Sequence, residues 1–264
     1  VRRARPARVV RVPALAWLGG AAPLARRQLT ELWRDRRRMV GALGFSLLLN
    51  ALVVGLPAVA TGASPSGERD PGGSLVLLGL ILLVPVLTTA PVSLDFRRDL
   101  DRMALLRSLP LSPFTVTVGQ VFSPVLVIAA TQAACVVGLA LSTGTVPPRY
   151  TAAALLALPP LVWTVAAVEN LVFLLLPVRP IVPGTPRAVF PARNYLLAIV
   201  KVLALGLTMG FAAACAFVLW IATPGWIAAA VAGGIIGLVL SAAAATWAAA
   251  WAFTRFDVSR DIPA

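Results

Sequence analysis

Six apolar stretches, each long enough to cross a lipid bilayer as a helix, dominate this sequence of 264 residues. About 20 predominantly apolar residues span the hydrocarbon core, and a helix satisfies its own backbone polar groups there. Mean hydropathy is +0.89 and only 12% of the residues are charged, which excludes a single soluble core. The sequence therefore predicts an all-α, polytopic integral membrane protein with six transmembrane helices, at about residues 40–60, 75–94, 114–141, 151–176, 195–222 and 227–253.

Positive charges alternate between the loops that join these stretches. Eleven arginines precede the first span, four lie in residues 95–113, three in 177–194 and two after 253, against one, one and none in the alternate loops. Cytoplasmic loops collect Arg and Lys, so we expect both termini to be cytoplasmic. The net charge of +13 then reflects contact with membrane lipids and not with nucleic acid.

The basic N-terminus, residues 1–38, contains an amphipathic element. Residues 24–39 place Leu29, Leu32 and Trp33 on one face and arginines on the other, the pattern of a helix that lies in the headgroup plane. The alternative is a basic flank with no defined helix. We predict no signal peptide, because no short apolar core with a cleavage site follows the first arginines. Residues 39–253 form the transmembrane domain, and 254–264 a cytoplasmic tail.

The segment 95–113, DFRRDLDRMALLRSLPLSP, is the most charged part of the chain between two spans. As a helix it would place Phe96, Leu100 and Met103 on one face and pairs of opposite charge, such as Asp99 and Arg102, on the other. Leu109-Pro110 would end that helix. Ser112 and Pro113 predict the N-cap and first position of the next one, so we expect a short cytoplasmic helix that another molecule contacts.

Glu169 and Asn170 lie within the fourth apolar stretch. An ionisable residue inside a span is costly, so it faces the bundle interior and is paired or lines a polar path. Sequence reasoning leaves two roles equally open for Glu169: a functional or coupling role, and a structural pairing with a nearby arginine such as Arg179 or Arg193. The other polar residues within the spans are scattered and define no pocket: Asn50, Gln120 and Gln132.

No catalytic, cofactor or metal site is predicted. The chain has no histidine, its two cysteines lie in apolar stretches, and no phosphate-binding G-x-x-x-x-G-K-[ST] motif is present. Asp95, Asp99 and Asp101 suit a magnesium-dependent lipid-modifying transferase in their spacing, but three neighbouring arginines argue against this. Two glycine pairs with four-residue spacing, Gly206/Gly210 and Gly233/Gly237, weakly indicate close helix packing.

The basic helix at 24–39, the six spans with both ends inside, and the charged helix followed by LRSLPLSP together resemble the membrane-spanning subunit of a type-2 ABC exporter. ENLVFLLLPVR at 169–179 and the tail FDVSRDIPA are similar to a little-characterised bacterial group of ABC exporters. The resemblance implies a permease in the bacterial cytoplasmic membrane, paired with itself or with a second permease, that exports an unknown substrate. ATP hydrolysis would take place in a separate ATPase subunit, so the chain itself is not expected to be an enzyme.

The resemblance also implies that the loop after the second span docks on the ATPase. The implied contact residues are Phe96, Arg97, Leu100, Met103 and Arg107. One feature departs from the family, because many members carry a re-entrant hairpin between the fifth and sixth spans, where this chain has only Thr223 to Trp226. The alternatives are a secondary transporter or channel that uses Glu169, the transferase described above, and a membrane scaffold.

Overall fold

The computed structural model of the chain describes residues 15–34, 40–41, 43–52, 76, 78–84, 96, 99–143, 146–177 and 190–257. This part is helical and contains no strand. A 3-10 helix, Ala16–Ala21, leads into α1, and another, Leu100–Arg102, leads into α4. The α-helices are α1 (Ala22–Arg34), α2 (Leu43–Leu52), α3 (78–84), α4 (Met103–Ser108), α5 (Pro113–Thr143), α6 (Pro148–Leu175), α7 (Phe190–Ala222) and α8 (Ile227–Arg255).

Four of these helices are long and apolar enough to cross a membrane: Pro113–Leu141, Pro148–Leu175, Ala198–Ala222 and Ile227–Arg255. They coincide with the last four predicted spans, and their number and composition are those of a multi-pass membrane protein. The first two predicted spans are described only in part, by the helical residues of α2 and α3. The total of six spans and the side on which the termini lie stay predictions.

Helix α8 packs against α5, α6 and α7, and α1 lies along α5. The contact between α7 and α8 is very close, because a Cβ atom at Gly237 would lie 2.6 Å from Cα of Ala212, and one at Gly233 would lie 2.6 Å from the Cys215 carbonyl oxygen. The predicted role of this glycine pair is confirmed. Gly206 and Gly210 have no such neighbour among the described residues, so within this part of the chain the same motif in α7 does not mark a contact.

The start of α5 and the ends of α6 and α8 meet at one end of the bundle, where α4 lies. Apolar side chains from all of these elements form one buried cluster, which we call the junction. Helix α1 contributes Leu24 to it, and Gly119 of α5 lets α1 approach closely, since a Cβ there would lie 2.9 Å from Cβ of Leu24. The junction consists of Leu24, Phe96, Leu100, Met103, Leu106, Val116, Phe173, Leu174, Ala252, Phe253 and Phe256.

Candidate coupling site

The segment 99–113 folds locally as its sequence predicts, but its helix is shorter. Phe96 lies in a turn, the 3-10 helix starts at Leu100, and α4 covers only Met103–Ser108. Leu109 is extended, with φ −68° and ψ 142°, as expected before a proline. The Ser112 hydroxyl oxygen accepts a hydrogen bond of 3.1 Å from the Thr115 amide, and α5 starts at Pro113. The predicted N-cap and helix start are confirmed.

The apolar face of this segment is turned into the protein. Phe96, Leu100 and Met103 do lie together, and all three are buried in the junction. The Phe96 ring stacks on Phe253 of α8 with 5.2 Å between the ring centroids. In this structure the three side chains contact the chain's own helices, so another molecule could reach them only by displacing those helices.

The outward face of α4 carries different residues from those expected to contact a partner. Leu105 is 59% exposed, and Ala104 and Ser108 beside it are exposed as well. Arg107 is exposed but anchored, because its Nη2 donates a 2.8 Å hydrogen bond to the Phe253 carbonyl oxygen. Arg97, the remaining residue of the expected contact, lies outside the described residues.

Asp99 joins three elements at the edge of the junction. Its buried carboxylate accepts a hydrogen bond from the guanidinium of Arg27 in α1 and one of 2.8 Å from Nε2 of Gln120 in α5. Gln120 also accepts a hydrogen bond from the side chain of Gln28, which is buried in α1. A charge at this depth is stable only when it is paired and hydrogen-bonded. Asp99 belongs to residues 95–113, which we call the coupling segment, and it therefore holds α1, this segment and α5 in one arrangement.

Glu31 and Arg102 extend this network toward the surface. Arg102 Nη1 lies 3.3 Å from Glu31 Oε1 and 3.8 Å from Asp99 Oδ1, and Arg27 Nε lies 3.7 Å from Glu31. The predicted proximity of Asp99 and Arg102 is confirmed. Because Arg102 is about half exposed, these outer contacts stabilise the site less than the buried ones.

Asn170 connects the coupling segment to α6. Its Oδ1 accepts a 3.1 Å hydrogen bond from the backbone amide of Phe96, while its Nδ2 donates to the Ala166 carbonyl one turn earlier. Phe96 precedes the 3-10 helix, so its amide has no partner within a helix. The polar side chain inside the fourth span thus has a clear structural task.

Glu169, next to Asn170, forms an ion pair with Lys201 of α7. Both side chains are mostly buried, and the pair lies near the same end of the bundle as α4, since Glu169 is about 9 Å from the end of α6 at 1.5 Å per residue. Lys201 is a partner that sequence reasoning did not name, while the side chains of the expected partners, Arg179 and Arg193, lie outside the described residues. Sequence reasoning overlooked Lys201, although it is the chain's single lysine and lies inside an apolar stretch, which is the signal that could have identified it.

Two polar side chains that seemed scattered along the sequence lie together between α2 and α5. Gln132 Nε2 donates a 3.2 Å hydrogen bond to the Ser46 hydroxyl, and Asn50 Nδ2 donates one of 2.8 Å to the Ser46 carbonyl. All three residues are buried. The Gln132 bond joins the first predicted span to the third, as polar groups within bilayers commonly do, whereas the Asn50 bond lies within α2.

The alternative site of three aspartates has a different environment from the one a metal site requires. Asp99 is already engaged by Arg27 and Gln120, and the Asp95 and Asp101 side chains lie outside the described residues. Within the described residues, no three side chains of His, Cys, Asp or Glu group as metal ligands would.

No known protein family and no curated protein sequence matches the chain.

Proposed function

We propose that this chain is the membrane-spanning subunit of an ABC exporter in the bacterial cytoplasmic membrane. It would pair with itself or with a second permease and dock a separate ATPase subunit through the outward face of α4. The observation that carries the proposal is the position of α4, a short helix outside the bundle whose buried face lies in one cluster with side chains of three long helices and of α1. The family resemblance of the sequence supports the same function.

The docking surface in this proposal differs from the one expected from sequence. Phe96, Leu100 and Met103 are occupied within the junction, so the ATPase would contact Leu105 with Ala104 and Ser108. An exposed leucine flanked by small side chains and rimmed by arginines has the composition of a contact surface, with an apolar centre and a polar rim.

The mechanism follows from how α4 is held. The buried apolar contacts and the Asp99 network resist independent movement of α4, because packed interiors transmit displacement. A push from the ATPase on Leu105 would then move α4 together with α1, the start of α5 and the ends of α6 and α8. Such rigid-body motion is a common way to switch a transporter between states.

Co-purification tests the proposal. The tagged chain is solubilised from membranes of its own host, captured, and assayed for a nucleotide-binding subunit and for ATP hydrolysis. We expect an ATPase to co-purify with the unchanged chain and to be lost with Leu105→Glu, since a buried unpaired carboxylate at the centre of an interface is strongly unfavourable.

Leu175→Glu is the matched control, because Leu175 is a comparably exposed leucine, 52%, at the same end of the bundle. It should leave the ATPase bound. Equal recovery of the ATPase with the Leu105 and Leu175 variants, both correctly inserted, would refute docking through α4. Absence of any ATPase from the unchanged chain would refute the exporter function itself.

A secondary transporter that uses Glu169 is the second candidate. In its favour is the position of a carboxylate within a predicted span. Against it, Glu169 is paired with Lys201, and an ion pair of this kind holds two helices together without any transported ion. Transport activity in liposomes that contain only this chain, lost in Glu169→Gln, would favour the carrier over the exporter.

A further inference from the structure

An apolar cavity of about 510 Å³ lies between α3, α6, α7 and α8. It occupies the half of the bundle away from α4, because its lining comes from the first half of α6, the second half of α7 and the first half of α8. Eight of the sixteen lining residues are alanine or glycine, and these small side chains leave the space open. The volume is within the range of small-molecule sites, about 300–1,000 Å³.

The chemistry of the lining restricts what the cavity accepts. Leucine, methionine, valine and isoleucine complete the wall, and Tyr150 carries the one hydroxyl among the lining residues. A polar ligand would lose its hydrogen bonds to water here without replacement. Alkyl chains lose nothing of this kind. The lining residue Ala213 is exposed, and so is its neighbour Ala214 on α7, so an acyl chain would meet an accessible apolar surface here.

Among the described residues at this end of the bundle, one positive charge lies next to the cavity, beside its lining residue Tyr150. Arg149 is exposed in the first turn of α6, and its guanidinium carbon lies 4.9 Å from the centroid of the Tyr150 ring. The described residues around this end, 146–150 and 222–230, contain no other charged side chain. No carboxylate within the described part of the chain pairs with Arg149. The cation is therefore placed to meet an anionic group at the surface while an attached chain enters the cavity.

We propose that this cavity is a binding site for an anionic phospholipid of the bilayer, with one acyl chain between α6, α7 and α8 and its phosphate on Arg149. Guanidinium groups suit phosphate because they present several donors in one plane. A lipid at this position would fill space that the alanines leave empty and would stabilise the contacts of α6 with α7 and α8. This inference does not rest on the exporter function.

Native mass spectrometry of the full chain tests the site. The protein is reconstituted in nanodiscs of equal phosphatidylglycerol and phosphatidylcholine, released into detergent, and the lipids that remain bound are counted and identified. We expect retained phosphatidylglycerol. Gly234→Leu should reduce its retention about tenfold, because the new side chain occupies the volume of several methylene groups. Gly234 lines the cavity, and a Cβ there meets only ordinary contact at 3.6 Å, so the variant should fold.

Gly206→Leu is the matched control, since Gly206 lies in the middle of α7, outside the cavity, with nothing within 4 Å of an added Cβ. It should retain lipid as the unchanged chain does. Arg149→Gln should keep the acyl chain but lower the preference for phosphatidylglycerol about fivefold, the effect of one basic residue at a membrane surface.

Three outcomes would overturn the proposal. Equal lipid retention in the Gly234 and Gly206 variants would show that the retained lipid lies elsewhere. Equal retention of the two lipids by the unchanged chain would remove the role of Arg149. A photoactivatable acyl chain that labels no residue of α6, α7 or α8 near the cavity would contradict the site even if the Gly234 variant failed to fold.

Discussion

Replacing Asp99 by alanine should destabilise the protein more than any single change on the outer surface of α1 or α4. The change removes the acceptor of the Gln120 amide, and because Gln120 is fully buried, this group would be left without that partner, at a cost of about 1–3 kcal/mol. It also breaks the ion pair with Arg27. Complete burial would make that loss about 3–5 kcal/mol, but Arg27 is 30% exposed, so water recovers part of it.

We therefore expect the free energy of unfolding to fall by about 3 kcal/mol in Asp99→Ala and by about 1–2 kcal/mol in Asp99→Asn, which keeps an acceptor oxygen but not the charge. The measurement is reversible unfolding in mixed micelles, followed by tryptophan fluorescence. Glu31→Gln is the control, since its contacts are longer and lie nearer the surface, and it should cost less than about 1 kcal/mol.

A double-mutant cycle with Arg27→Met isolates the contact between α1 and the coupling segment. If Asp99 links the two elements directly, the coupling energy should be about 1–2 kcal/mol. A coupling energy near zero, or an Asp99→Ala variant as stable as the unchanged chain, would refute the conclusion that the buried carboxylate holds α1 and α5 together. A cycle between Asp99 and Glu31 should give a smaller value, because Arg102 and Arg27 lie between them.

Three further predictions test other contacts of the bundle. Glu169→Gln and Lys201→Met should each cost about 3 kcal/mol in the same unfolding assay, because each removes one partner of a mostly buried ion pair. The double variant should cost less than the sum of the two losses, and additive losses would contradict a direct interaction between the two side chains. Gly237→Val should disrupt the contact between α7 and α8, where an added Cβ already lies 2.6 Å from a backbone atom, whereas Gly210→Val should leave thermal stability nearly unchanged. Met103→Ala should lower the free energy of unfolding by about 2–5 kcal/mol, because the side chain is buried, and it should not selectively release an ATPase. Selective release of the ATPase with unchanged stability would mean that Met103 contacts the partner.

Local signals in the sequence were sufficient to predict several features of the fold. The start of α5 follows from Ser112 and Pro113, because capping and proline preferences act over three or four residues. The last four spans follow from length and hydropathy alone. The close contact at Gly233 and Gly237 was indicated only weakly, since the same spacing at Gly206 and Gly210 makes no contact.

Features that depend on how helices are rotated and paired could not be predicted in this way. The partner of Glu169 depends on which face of α7 meets α6. Counting charges in the loops identifies arginines, whereas Lys201 lies inside an apolar stretch. The apolar face of the coupling segment posed a similar problem. An amphipathic helix shows that one face will be covered. The sequence does not show whether a partner or the chain's own helices cover Phe96, Leu100 and Met103.

The position of Asn170 and Glu169 side by side in α6 bears on how a push on α4 would spread. Asn170 holds the backbone of the coupling segment at Phe96, and Glu169 contacts Lys201 near the start of the predicted fifth span. Among the described side chains, which in α7 begin at residue 198, the junction includes residues of α1, α5, α6 and α8 but none of α7. Under the proposed function, movement of α4 would therefore reach this end of α7 through α6 and the ion pair, as well as through α8. A variant that removes both charges, Glu169→Gln with Lys201→Met, should then keep the ATPase bound and still lower the rate of transport per ATP hydrolysed, whereas unchanged transport would show that α8 alone carries the movement to α7.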